Sequence, residues 1–422
     1  MYELRIKNAR LYVSGFLTEG EVGISDGKIQ YIGKEKIRGE KTIDARKNIV
    51  MPGLMNAHTH LAMALFRGFA EDLPLEKWLQ MKIWPAERKL TSEDVYYGSL
   101  LGIIEMIRTG TTCFSDLYVE MDEVARAAIK AGIRGCLCYG MADRGDEERG
   151  EKELKIGMKF VKKWKGSEII YPLYGPHSTY TCSPKFLETV KETAKEDGVP
   201  VHIHASENQW EIQEVKRQCG ATPIKLLYHL EFLDEHTILA HCVWVSDEEI
   251  QMLKNSKTNV VHNPVSNLKL AAGISPVFQF LRKGINVSLG TDGAASNNSY
   301  DLFEEVKITP LLQKVVTGRA DAISVREVIE MATVNGYKAY GLNGGELEIG
   351  KLADIIIIDI SGINHHPSYN PLNNLVYSGR GCDVTHTIIN GRVVMEDRNI
   401  LTLNEEKIIG KIERMKQKFM DD

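Results

Sequence analysis

From Met51 to about Leu342 the chain alternates strand-like apolar runs with helical patterns, and this alternation constrains the fold more than any other feature. Seven runs follow an opening strand: Thr111–Asp116, Gly135–Tyr139, Ile169–Tyr174, Val199–His204, Thr237–His241, Asn259–His262 and Ile285–Gly290. Helical patterns lie between them, for example over Met121–Ala131, Pro184–Glu196 and Asp247–Lys254, with Ser183 and Ser246 at N-cap positions. Eight strands alternating with helices predict an α/β fold of the (β/α)8 TIM-barrel type. No G-x-G-x-x-G follows a strand, which disfavours an open doubly wound sheet.

Strand signals also occur at both ends. Asp26-Gly27 separates Val22–Ile24 from Lys28–Ile32, and Asn390-Gly391 separates Val384–Ile389 from Arg392–Met395; both are hairpin signatures. Ala353–Ile360 reads as a buried strand and residues from Glu405 to Asp422 as a charged helix. The expected organisation is a barrel over residues 51–344 and a small β-sandwich domain, with the terminal helix, from residues 1–50 and 345–422.

The chemistry is expected at the C-terminal ends of the barrel strands. The opening stretch is read as one strand, begun by Ile49, Val50 and Met51 and bent by Pro52 and Gly53. His58 and His60 follow two residues apart, so an extended backbone points both imidazoles to one side. His177, His204, His241, His262 and Asp292 fall at the ends of later strands. His58, His60, His204 and Asp292 make a nitrogen and oxygen set suited to a catalytic divalent ion, zinc by default. Such an ion lowers the pKa of bound water to about 7. His202 shares a face with His204 but lies deeper, as a supporting or core residue. Glu207, three residues after His204, is placed for general acid–base work, and Asp292 and His241 to accept or stabilise a proton. The run Ile169–His177 has no lysine to bridge two metals, so one ion per subunit is expected.

Composition excludes several classes. A net charge of −5 offers no basic patch for nucleic acid, and no apolar run reaches the about 18 residues of a membrane span. The N-terminus lacks a signal-peptide core, and seven cysteines make no disulfide framework, so a cytoplasmic enzyme is expected. Its size suits a homo-oligomer.

The motifs Asn56–His60, His202–Glu207, Leu239–Cys242, His262–Asn267, Leu289–Gly293 and Gly350–Asp354, in that order, resemble the amidohydrolase superfamily, and within it the methylthioadenosine/S-adenosylhomocysteine deaminases. The resemblance implies hydrolytic deamination of adenine nucleosides modified at the 5′ position. It implies His58, His60, His204 and Asp292 as metal ligands and Glu207 as the residue that contacts the purine ring nitrogen and shuttles the proton. It implies His177 as a substrate contact and Glu87 as the carboxylate that binds the ribose hydroxyls. Trp78 is a candidate wall for the adenine or the 5′ group. The family places arginines near the third strand to hold the amino-acid carboxylate of S-adenosylhomocysteine, for which Arg144 and Arg149 are the candidates. Rival readings are an aminohydrolase of guanine, cytosine or a triazine, which Glu87 disfavours, and a scaffold without catalysis, which the complete ligand set disfavours.

Overall fold

The computed structural model describes residues 1–420. Eight parallel strands, Leu54–Thr59, Thr111–Tyr118, Arg134–Met141, Ile170–Pro176, Val201–Ala205, Thr237–His241, Asn259–His262 and Val287–Leu289, pair in sequence order. Backbone amides of the eighth strand's end bridge the remaining seam. The Asp292 amide donates to the His58 carbonyl (2.9 Å), and the Thr291 amide to Asn56 Oδ1 (3.0 Å). Eighth strand end and first strand end are thereby locked together where the metal ligands are expected. Strands buried on both faces read as continuous apolar runs because helices cover the outside and side chains fill the inside.

A second sheet is mixed and has nine strands. Along its main path Ile49–Pro52 sits between Tyr2–Val13 and Ile355–Ile358, so strands from the two ends of the chain meet there. This corrects the sequence reading of the opening stretch. Ile49–Pro52 and Leu54–Thr59 are two strands in two sheets, joined at Gly53. A Cβ at Gly53 would lie 2.1 Å from Thr112 Oγ1, so only glycine lets the chain pass between the sheets this closely. Nearby, Arg134 in the barrel forms a fully buried pair with Asp354 (Nε–Oδ2 2.8 Å, Nη2–Oδ1 3.1 Å). Tyr337 and the Asn390 amide, each at 2.7 Å, satisfy the remaining carboxylate lone pairs.

The expected caps form: Ser183 and Ser246 accept the amides of Phe186 and Glu249. The terminal helix divides into Glu405–Met415 and Gln417–Met420; the last two residues of the expected helix lie outside the described residues. It lies against the barrel helix Ser92–Arg108 through Arg108–Glu405 (2.8 Å) and Lys411–Glu93 (2.7 Å). Among the described residues no helix is long and apolar enough to cross a membrane.

Candidate active site

The histidines at the barrel mouth are fixed by what their Nδ1 atoms touch. His60 Nδ1 lies 2.6 Å from the Leu117 carbonyl, and His204 Nδ1 lies 2.6 Å from the His177 carbonyl. A carbonyl only accepts, so both rings carry the proton on Nδ1 and present a bare lone pair at Nε2. For His58 the proton is fixed through a chain. Tyr340 donates its hydroxyl to the Ala57 carbonyl (2.6 Å), so its oxygen accepts from His202 Nδ1 (2.9 Å). His202 Nε2 is then an acceptor for His58 Nδ1 (3.0 Å). His58 therefore also shows a lone pair at Nε2, buried and without a hydrogen-bond partner.

These lone pairs converge. His60 Nε2 and His204 Nε2 are 3.2 Å apart, and Asp292 Oδ1 lies 3.3 Å from His60 Nε2 and 3.5 Å from His58 Nε2. Facing lone pairs in a dry site repel, so this donor set fits a cation at its centre. The ligand atoms of His58, His60 and His204 lie within 4.8 Å of one another, as do those of His58, His241 and Asp292. Burial pushes the His58 imidazole down to about 4, keeping the ring neutral and able to ligate.

Asp292 is oriented by its other oxygen, which accepts hydroxyls from Ser266 (2.5 Å) and Ser296 (2.9 Å). Burial alone would raise its pKa, but His58, His60 and His241 together hold it well below the usual carboxylate range. His241 donates its Nδ1–H to Asn267 Oδ1 (2.8 Å), which leaves a lone pair on Nε2. His241 and Asp292 have φ of +76° and +65°, and Ser206 has +55°. Such left-handed non-glycine residues cost about 1–3 kcal/mol each and cluster where a site demands them.

Beside this cluster lies a cavity of about 250 Å³. His60, His204, Glu207, His241 and Asp292 line it, as do His177, Glu87, Trp78, Arg144 and Arg149. The structure thus brings the expected side chains to one cavity, with His58 buried directly behind them. Burial, with a smaller push from Asp292, raises Glu207 to about 8, so its carboxyl carries a proton near neutrality. Burial raises Glu87 to about 7 against the Tyr118 hydroxyl, which donates to Oε1 at 2.7 Å. Burial and then His60 push His177 down to about 3. Trp78 is buried in the cavity wall and donates Nε1–H to the Ala70 carbonyl (3.3 Å). Arg144 stacks over the Trp84 ring at 5.2 Å.

Several supporting residues were not singled out from the sequence. Glu211 is buried in the first turn of Gln209–Cys219; it accepts the Glu207 amide (2.7 Å) and the Thr179 hydroxyl (3.0 Å). The Asn208-x-x-Glu211 spacing resembles a capping box and was the available signal, but the carboxylate reaches one residue further back than a capping box would. Tyr118 and Tyr340 carry no local signal, because their partners lie on distant segments.

A parallel barrel that gathers imidazole lone pairs and a carboxylate at the C-terminal ends of its strands defines a metal-dependent hydrolase of the (β/α)8 class. The sequence model of the Amidohydrolase family matches residues 49–394, and the chain belongs to that family. It is 48% identical over 416 residues to a 5′-deoxyadenosine deaminase of Methanosarcina acetivorans, covering 97% of this chain and 96% of the relative. It is 43% identical over 415 residues to 5-methylthioadenosine/S-adenosylhomocysteine deaminase 2 of Archaeoglobus fulgidus, covering 98% of each. A zinc-bound crystal structure of an adenosine deaminase from Xanthomonas campestris superposes with a TM-score of 0.95 at 30% identity, over 99% of this chain and 98% of that one.

Proposed function

We propose that the protein hydrolytically deaminates adenine nucleosides modified at the 5′ position, such as 5′-deoxyadenosine and 5′-methylthioadenosine, to the inosine analogue and ammonia. The observation that carries this reading is a single cavity with a cation-ready cluster and a protonated Glu207 beside it, and with the Glu87–Tyr118 pair and two arginines on its walls. The deaminase relatives, alike over nearly the whole chain, support it. His58, His60, His204 and Asp292 would hold one divalent ion per subunit, and zinc is supported by the zinc-bound structural neighbour. Bound there, the ion would activate the attacking water.

The remaining steps belong to the protein. Glu207, protonated at rest, gives its proton to the ring nitrogen adjacent to the amino-bearing carbon as the water oxygen adds to that carbon. Asp292 and His241 accept or stabilise the proton that the water loses. Passed to the departing amino group, that proton lets ammonia leave; the added hydroxyl gives its remaining proton back to Glu207, and the ring regains its conjugation as the 6-oxo product. Glu87 accepts from the ribose hydroxyls; each carboxylate oxygen has two lone pairs, so the bond from Tyr118 leaves capacity for a vicinal diol. His177, neutral, hydrogen-bonds the substrate.

Seven free cysteines, five of them buried, support a reducing cytoplasm, and we propose a homo-oligomer on the basis of size. The test is a nucleoside and base panel on metal-loaded protein, following loss of the adenine absorbance band together with ammonia release. Turnover of guanine, cytosine or a triazine with none of the adenine nucleosides would refute the reading.

A further inference from the structure

We propose that the cavity wall formed by Tyr139, Arg149 and Glu153 receives the 5′ group, and that Glu153 is a specificity-determining residue there, selecting against substrates whose 5′ group is anionic. The proposal deepens the nucleoside reading and rests on it. A carboxylate-bearing 5′ tail is best received by free cations, and two arginines line the cavity. They are not equivalent. Arg149 and Glu153 sit one turn apart at the start of helix Glu147–Trp164, with Arg149 Nε 3.8 Å from Glu153 Oε1. Both line the cavity, together with Tyr139.

Exposure decides which of the pair governs the local field. The Glu153 side chain is 17% exposed and that of Arg149 44%. The arginine is therefore more strongly screened by water, while the carboxylate acts from the lower-dielectric side. The Tyr139 phenol lies beside the same carboxylate and feels its charge. Burial and then the Glu153 charge hold Tyr139 well above the usual phenol range, so this contact adds no negative charge of its own. Arg144, which also lines the cavity, is stacked on Trp84, with no carboxylate ion pair among the described residues. The 5′ end thus offers one stacked cation and one closed ion pair. A neutral 5′ group leaves both arrangements undisturbed. An anionic group must approach Glu153 as well as the arginines, and like charges brought together in a partly buried site are costly.

The test uses three 5′-thioether adenosines of equal tail length that end in a methyl, a carboxylate or an ammonium group. Their kcat/KM values are compared in the parent protein, in Glu153→Gln, which keeps the side-chain size and removes the charge, and in Arg149→Gln. In Glu153→Gln the carboxylate-to-methyl ratio should rise about tenfold and the ammonium-to-methyl ratio should fall. In Arg149→Gln, which leaves Glu153 unpaired, the carboxylate-to-methyl ratio should fall. Both changes should shrink at high salt. Should Glu153→Gln not fold, the direction of the Arg149→Gln change decides. Ratios that stay constant in both variants, including an equal fall on all three substrates, would overturn the proposal and leave Glu153 a structural residue. Failure of the parent to deaminate any of the three would instead overturn the nucleoside reading beneath it.

Discussion

His202→Leu isolates the chain that sets the His58 tautomer. The leucine side chain is close to histidine in bulk, so the fully buried position is refilled without a large cavity. Its hydrogen bonds are lost, from His58 Nδ1 at 3.0 Å, to Tyr340 at 2.9 Å and the longer contact with Ser115 Oγ. His58 then has two choices. It keeps its proton on Nδ1 as a buried donor without a partner, which costs about 1–3 kcal/mol. Otherwise it moves the proton to Nε2 and loses the lone pair that faces Asp292. Either outcome weakens metal binding, by the about 10- to 100-fold typical of lost outer hydrogen bonds. Competition against a chelator of known affinity measures the dissociation constant directly. Tyr340→Phe should cost less, because Ser115 Oγ, 3.3 Å from His202 Nδ1, can accept in its place. A dissociation constant for His202→Leu within twofold of the parent, in a variant whose metal-free form melts at the parental temperature, would refute the tautomer argument.

Further outcomes follow from the same geometry. Glu207→Gln should retain metal, measured by elemental analysis, and lose about 10²- to 10⁴-fold in turnover, and the parent rate should fall as pH rises through about 8, because the general acid must be protonated. Glu211→Ala should lower kcat more than it raises KM, since it frees the Glu207 backbone; Glu211→Gln, which can still accept from the Glu207 amide, should recover much of the loss in the same steady-state assay. Asp354→Asn leaves Arg134 buried with an uncompensated charge and should destabilise the fold by about 3–5 kcal/mol in denaturant titration. A 2′-deoxyribose analogue should lose about tenfold or more in kcat/KM, and Glu87→Gln should narrow that gap.

The sequence by itself determined the barrel and which side chains gather at its mouth. Period-2 and period-3.6 patterning is local, and the C-terminal ends of parallel strands are where such barrels gather side chains, so His58, His60, His204, His241 and Asp292 could be assigned from strand position alone. The Asn390-Gly391 turn was legible for the same reason: φ of +51° and +74° is a demand on those two residues themselves. Local pattern could not separate Ile49–Pro52 from Leu54–Thr59, because both are short, fully buried extended segments and the sheet each pairs with is set by distant strands. Nor could it show which imidazole nitrogen is bare, since that depends on a carbonyl at Leu117, another at His177 and a hydroxyl at Tyr340, each brought to the barrel mouth by a different segment. The charge balance among Arg144, Arg149 and Glu153 is decided in the same way, by distance and exposure rather than by composition. Residue identity selects the chemistry available, while proton positions and local fields arise from contacts between distant segments, and only the folded chain makes those contacts.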